Sequence, residues 1–268
     1  MNTGISVKDL NGIRILGEGS YGKVTLVRHS VTGRTYALKQ IQKSHVARMK
    51  QEVHIETERH VLQHVNHPFV CNLVRTFKNR HSVYFLMEAV LGGELYAQMK
   101  RVDKFVPRQA KFYAAQVAAV FEHLHARGII FRDLKPENLL IASDGYLKLC
   151  DFGLAKLIGD EGKTYTLCGT PAYASPEVYA SVGHDQGVDW WTLGVLIHEL
   201  LAGYTPFYGK EPNQIYKEIT RFSKHYPKVA FPKHFSKPAS SILLGLLAPR
   251  PDQRLGNLSG VSCCCLCL

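Results

Sequence analysis

What is scarce in this chain narrows it first. No apolar run approaches the roughly 20 residues that a membrane-spanning helix needs, so no spanning segment is expected. The opening Met1-Asn2-Thr3-Gly4-Ile5 has neither a basic flank nor an apolar stretch, and position 2 is not glycine. Export and N-myristoylation are therefore not expected, and a cytoplasmic location is. Cys71, Cys150 and Cys168 each stand alone in ordinary stretches, as reduced thiols do, rather than as a disulfide framework. Internal repeats are absent, as is any low-complexity segment before the tail. With 46% apolar and 21% charged residues in 268, disorder, collagen and coiled coil are excluded. One compact domain, or two lobes sharing a cleft, fits that length.

Acidic residues are also in deficit. Thirty-three Lys and Arg against 22 Asp and Glu leave a net charge of +11. Such a surplus attracts polyanions, although a basic outer face that keeps a protein soluble is the commoner cause. No compact Lys/Arg tract with interleaved aromatics is present, so nucleic acid is not expected as a partner.

Patterning divides the chain in two. Ile13 to Leu16, Val24 to Val27 and Tyr36 to Ile41 read as short strands between Gly-rich or Thr-Gly turns. A helix is expected from about Met49 to Val65, with Val53, Val61 and Val65 on a four-residue spacing. Two strands follow, near Cys71 to Phe77 and Val83 to Met87. After Leu91-Gly92-Gly93 the character turns helical. Pro107 opens a helix with Ala110, Tyr113, Ala114, Val117, Phe121 and Leu124 on one face, and Gly128 closes it. Leu139 to Ile141 and Tyr146 to Cys150 flank a hairpin turn at Asp144-Gly145. Val188 to Leu201, apolar nearly all round, reads as a buried helix ending at Gly203, and the rest is helical and loop-rich.

Several short motifs carry chemistry. In Gly17-Glu18-Gly19-Ser20-Tyr21-Gly22, glycines let backbone N–H groups approach phosphate oxygens where a Cβ would collide. A dinucleotide-binding turn opens a helix, whereas Lys23 to Val27 continues as a strand, so a hairpin over a nucleotide fits better. Lys39, ending Ala37-Leu38-Lys39, suits α and β phosphates if a carboxylate fixes it, and Glu58 shares a helix face with His54 and Leu62. Downstream, Phe131-Arg132-Asp133-Leu134-Lys135-Pro136-Glu137-Asn138 and Asp151-Phe152-Gly153 supply what phosphoryl transfer needs. Those needs are an orienter or base for the attacking hydroxyl, countercharge, and hard oxygen ligands for Mg²⁺. One such motif arises easily by chance; four in this order do not.

On these motifs the chain resembles the eukaryotic protein kinases over about residues 9 to 257. Within them, Met87-Glu88-Ala89-Val90-Leu91-Gly92-Gly93-Glu94-Leu95 and Gly145-Tyr146-Leu147-Lys148-Leu149 are similar to the cyclic-nucleotide-dependent group, the cGMP-dependent members in particular. The resemblance implies an α+β, bilobal fold. Its small, mainly antiparallel β lobe covers about 1–87, its hinge 88–92 and its mainly α lobe 93–257, with ATP between the lobes. It further implies ATP- and Mg²⁺-dependent transfer to Ser or Thr of protein substrates near basic residues. The alternative is a nucleotide-binding scaffold, or a truncated product, with little or no activity.

Residue by residue, the resemblance makes Lys39 the phosphate-binding lysine paired with Glu58, and Gly17, Gly19 and Gly22 the cover over the phosphates. Met87, Glu88, Ala89 and Val90 would form the adenine-binding hinge, with Val24 and Ala37 above the base, Leu140 below it and Glu94 beside the nucleotide. Asp133 would be the base, Lys135 would stabilise the transferred group, and Asn138 and Asp151 would hold Mg²⁺. Leu62, Leu73, Phe131 and Phe152 would stack between the lobes. Asp189, costly if unpaired in its apolar helix, would cap the catalytic-loop backbone, and Glu177 would pair with Arg254. Thr166 sits at the position phosphorylated in this group, with Arg132, Lys156 and His54 placed to receive its charge, by an activating kinase or by autophosphorylation. Thr164 is close enough to compete. Glu94, Glu137 and Glu199 match positions that bind arginines of the substrate, while Ala172 stands where the family usually has Glu. Ser175, in place of the usual Ala, is expected to be tolerated.

Two features fall outside this pattern. His60 and His64 have a metal-compatible spacing on a helix, but no third ligand is evident, and surface histidines are the better reading. Residues 258–268 form a Cys-rich tail with Cys263, Cys264, Cys265 and Cys267. The first expectation for it is a truncated or mis-spliced end without function. Lipidation, the one route by which a membrane becomes a partner, and zinc binding through Cys264 and Cys267 rank below it.

Overall fold

In the computed structural model, which describes residues 4–19, 22–158 and 162–257, the chain begins with a five-stranded antiparallel sheet. Its strands are β1 (Leu10–Gly19), β2 (Gly22–His29), β3 (Thr35–Gln42), β4 (Leu73–Lys78) and β5 (Ser82–Glu88), in the order β1-β2-β3-β5-β4. The Gly-rich segment belongs to the β1–β2 hairpin: Gly17 faces Val24 and Gly19 faces Gly22 in register. Gly22 has to be glycine, because a Cβ there would lie 1.8 Å from the Gln40 carbonyl oxygen.

Between β3 and β4 lie two helices, not the single one that the valine spacing suggests. The first, α1 (Lys43–Met49), stops where Lys50 turns left-handed at φ +52° and the next N–H groups fold back on Val46 and Ala47. The second, α2 (Glu52–His64), buries Ile55, Glu58, Val61 and Leu62. Val53 is 74% exposed, against expectation. Side chains advance about 100° per residue, so Val53 and Val61 stand about 80° apart and cannot share a narrow face.

β5 ends at Glu88, and the chain passes to the helical half through Ala89 to Glu94. There α3 (Leu95–Val102) is followed by α4 (Pro107–His125), with Pro107 in the first turn and the expected stripe of Ala110, Ala114, Val117, Phe121 and Leu124 buried. A strand pair, β6 (Ile129–Ile130) with a later β9 (Lys156–Leu157), brackets the hairpin of β7 (Leu139–Ile141) and β8 (Leu147–Leu149). That hairpin turns at Asp144-Gly145, with Gly145 at φ +85°. After the short α5 (Pro176–Tyr179), α6 (Gly187–Ala202) runs through the centre, buried on nearly every side. It ends at Gly203, which is left-handed and donates its N–H to Glu199. Finally α7 (Pro212–His225) and α8 (Lys237–Leu246) close the lobe. Among the described residues no helix is long and apolar enough to cross a membrane.

The two halves share one apolar cluster, in which Leu62 of α2 joins Phe131, Phe152 and the core of α6, and half-buried Leu73 packs against it. Phe131 and Phe152 meet edge to face at 5.2 Å between centroids. A main-chain tie reinforces the junction, since Cys71 N–H donates to the Leu149 carbonyl at 2.8 Å. Deep in the large lobe, the fully buried Arg254 makes two bonds to Glu177, at 2.6 and 3.0 Å, and packs its guanidinium on Trp191.

His198, on α6, is 4% exposed, lies edge to face with Phe235 at 5.3 Å, and bonds through Nδ1 to the Tyr204 carbonyl oxygen. Burial holds its imidazole neutral, lowering its pKa to about 4. An unfolded histidine titrates near 6.5, so between these values the unfolded chain binds the extra proton and stability falls as pH falls. Complete titration of this one site corresponds to roughly 3 kcal/mol. Urea unfolding at pH 7.5 and pH 5 should show a loss of stability in acid that is clearly smaller in His198→Gln than in the native sequence.

Candidate active site

Three chain segments remote in sequence meet at one lysine. Lys39 stands in mid-strand on β3, in register with Val24 of β2 and Phe85 of β5. Its Nζ donates to Glu58 Oε1 at 2.6 Å and to Asp151 Oδ1 at 3.3 Å, the second 112 residues along the chain. Glu58 gets there because it lies on the buried stripe of α2, its side chain only 2% exposed. Asp151 gets there by a left-handed residue, φ +59°, just beyond β8. Burial alone lowers the Lys39 pKa, but Glu58 and then Asp151 outweigh it, so Lys39 is held above the ordinary lysine range. Asp151 is held below the usual carboxylate range, chiefly by Lys39. Glu58 is pushed up by its burial, with Lys39 pulling against it.

A second constellation forms around Asp133, which is 9% exposed. Its Oδ2 accepts from Lys135 Nζ at 2.9 Å and from Asn138 Nδ2 at 3.0 Å, and its Oδ1 accepts from Thr170 Oγ1 at 3.1 Å. The same Asn138 amide nitrogen donates to the Asp133 carbonyl at 2.8 Å. That fixes the amide orientation and leaves the Asn138 oxygen as the free acceptor.

The turn that carries these residues is strained and clamped. Arg132 adopts φ +68°, sparsely populated for a long side chain. Asp189, fully buried on α6, accepts from Phe131 N at 2.9 Å and Arg132 N at 2.8 Å, and its Oδ2 lies 2.8 Å from His125 Nε2. The expected cap on the loop backbone is therefore present.

Of the other expected nucleotide contacts, Val24, Ala37 and Leu140 are each half-buried on β2, β3 and β7, and Met87 is in register with Ala37. Glu88, the first residue of the expected hinge, has its carboxylate engaged by Asn72 N at 2.8 Å and Lys148 Nζ at 3.0 Å, and its own N–H donates to the Asn72 carbonyl at 3.1 Å. Val90 packs half-buried against the core. A Cβ on Gly17 would meet no described atom, so nothing in the packing of the described residues requires that glycine.

The acidic residues divide. Glu199, half-buried on α6, accepts from the Tyr173 hydroxyl, and Glu137 lies near enough to push Glu199 up after the larger effect of burial. Exposed Glu94, at the start of α3, bridges through its main chain to Leu140 instead, on the β7 side.

In the segment after β9, Thr166 is exposed, whereas Thr164 is 2% exposed, bridges to His184 and takes a 2.8 Å bond from Lys156 Nζ. Arg132 donates through Nε to the Leu154 carbonyl, and its buried Nη1 has no partner among the described residues. His54 is half-buried on α2, which packs against β9. The His60 and His64 rings lie 4.3 Å apart at a 36° tilt, and among the described residues no group of three or more His, Cys, Asp or Glu is placed to hold a metal. The Cys-rich tail, with Ser20, Tyr21 and residues 159–161, lies outside the described residues.

Sequence reasoning missed Thr170, His125 and Tyr173, the partners of Asp133, Asp189 and Glu199. None belongs to a local spacing pattern, and each acquires its role only when distant segments meet.

The protein kinase domain family matches residues 10–263, and the chain belongs to that family. It is similar to cGMP-dependent protein kinase, isozyme 1, of Drosophila melanogaster, 44% identical over 258 residues, which are 96% of this chain and 33% of the relative. It is similar also to the cAMP-dependent protein kinase catalytic subunit of Arthrobotrys oligospora, 45% identical over 254 residues, 94% of this chain and 48% of the relative. With cGMP-dependent protein kinase 2 of Mus musculus the identity is 43% over 251 residues, 94% of this chain and 32% of the relative. The expected group is thus borne out, and its cAMP- and cGMP-dependent branches are about equally similar. The chain spans about a third to a half of the length of these relatives.

Replacing Asp189 by Ala strips two buried N–H groups of their acceptor, each worth about 1–3 kcal/mol when left unsatisfied. Urea denaturation should register a loss of several kcal/mol by that reckoning, and an unchanged midpoint would mean that the clamp does not hold the loop.

Proposed function

We propose that this chain transfers the γ-phosphoryl group of ATP to serine or threonine hydroxyls of proteins. The observation that carries the reading is the meeting of Lys39, Glu58 and Asp151 at one point beside the Asp133 constellation. Lys39, kept cationic by its two carboxylates, binds phosphate oxygens. Gly17, free of any packing need among the described residues, leaves room for phosphate oxygens to approach main-chain N–H groups, with Gly19 and Gly22 completing the cover. The Ala89 and Val90 peptides lie past the end of β5, out of its ladder, and suit an adenine edge.

Mg²⁺ fits the residues present. The free Asn138 oxygen and the Asp151 carboxylate are hard donors, and two protein oxygens completed by phosphate oxygens are the usual set for this ion. When bound, the ion neutralises charge on the phosphates. The protein's own groups do the rest. Asp133 Oδ1 orients the substrate hydroxyl and takes its proton as the new P–O bond forms and the bond to the ADP oxygen breaks. Lys135, already on Asp133, offsets charge on the transferred group.

The Glu137–Tyr173–Glu199 cluster supports substrates with basic residues near the acceptor, since guanidinium groups pair bidentately with carboxylates. Glu94 offers a further carboxylate at the nucleotide end. Phosphorylation of Thr166, by an activating kinase or by the chain itself, is supported by its exposure and by the unpartnered Arg132 Nη1. Lys156 and His54 are the additional cations such a phosphate would gather, across α2 and β9.

Full-length protein given labelled ATP, Mg²⁺ and an Arg-containing serine peptide should transfer label. Asp151→Asn should reduce the rate by about a hundredfold or more. Equal rates in the two proteins, or stabilisation by ATP with no transfer in the native one, would favour a nucleotide-binding scaffold instead.

A further inference from the structure

Away from the cleft, α4, α6 and α8 border an open groove of about 410 Å³, a size within the usual span of small-molecule sites. It exists because the facing surfaces are built from small residues. Ala114 and Ala115 of α4 and Ala239 of α8 leave space that Ile197, Leu201 and Ile242 only partly fill. The lining is predominantly apolar. Its one hydroxyl, Ser236, is already used as acceptor for the Ala239 N–H at the start of α8. A guest laid in the groove would take this apolar surface out of water, which favours an apolar one.

Its rim has the opposite character. Arg108 and Lys111, one turn apart on α4, border the opening, and Lys237 sits between two lining residues. All three are exposed and form no salt bridge among the described residues, and no acidic residue lines the site. An apolar groove with unpaired cations at its rim is complementary to one chemical class: a single long alkyl chain ending in an anion.

We propose that this groove binds a long-chain fatty acid, alkyl chain between α4, α6 and α8 and carboxylate at Arg108 and Lys111. The site shares no residue with the nucleotide cleft, so its occupancy is separable from ATP binding.

The test uses full-length protein and palmitate below its micellar concentration, followed by calorimetry. Saturable one-to-one binding is expected. Ala115→Trp, at an exposed lining position, fills the groove and should abolish it while leaving ATP binding intact. Arg108→Gln with Lys111→Gln should weaken palmitate about five- to tenfold, as loss of two exposed charge contacts implies, yet leave hexadecanol binding unchanged. Undiminished binding in Ala115→Trp, equal affinity for the acid and the alcohol in the native protein, or association only with anionic phospholipid vesicles would each overturn the proposal.

Discussion

A carboxylate with almost no exposed surface must be neutral or paired, and Glu58 is paired. Removing its charge from water is costly unless a cation meets it with good geometry, and Lys39 does so at 2.6 Å. This single contact couples three otherwise independent facts. It fixes the rotation of α2 about its axis, it holds a lysine on the middle strand of the sheet, and through Asp151 it reaches the loop that follows β8. The position of α2 and the electrostatics of the cleft are consequently one problem. Moving the helix outward would strand a buried charge on each side.

The large lobe solves a related problem with the opposite polarity of burden. There the groups needing satisfaction are backbone amides of a strained turn, and Asp189 supplies the acceptor from a helix buried nearly all round. A charged residue at that place looks anomalous on α6 until the loop is set against it. With the turn fixed, Asp133 is presented with both oxygens already engaged, to Lys135 and Asn138 on one side and Thr170 on the other. Of these partners only Thr170 is itself a hydroxyl, and of the two oxygens it bonds Oδ1 alone.

Much of this is legible in the sequence alone. The β strands announce themselves because Gly and Thr-Gly turns punctuate short β-branched runs, and α4 and α6 because their apolar positions follow the helical period or fill it entirely. The Lys39, Asp133 and Asp151 motifs were readable because their chemistry sits within a few consecutive residues. What failed was instructive. Val53 joined the apolar stripe only by a four-residue spacing that drifts off the true helical repeat, and Lys50 broke the helix by a backbone conformation that a lysine side chain does not advertise. The sequence also could not show that Asn72 and Lys148, 16 and 60 residues distant, decide where the Glu88 carboxylate points. Such long-range competition leaves no local signature.

The central claim is that Glu58 serves the nucleotide only through Lys39. Affinity for Mg²⁺-ATP, measured by calorimetry on the native protein, Lys39→Met, Glu58→Gln and the double variant, tests it directly. Residues acting as one unit give losses that fail to add, with a coupling of about 0.5–3 kcal/mol. The double variant should then bind no more weakly than Lys39→Met alone. Two independent, fully additive losses would contradict the account.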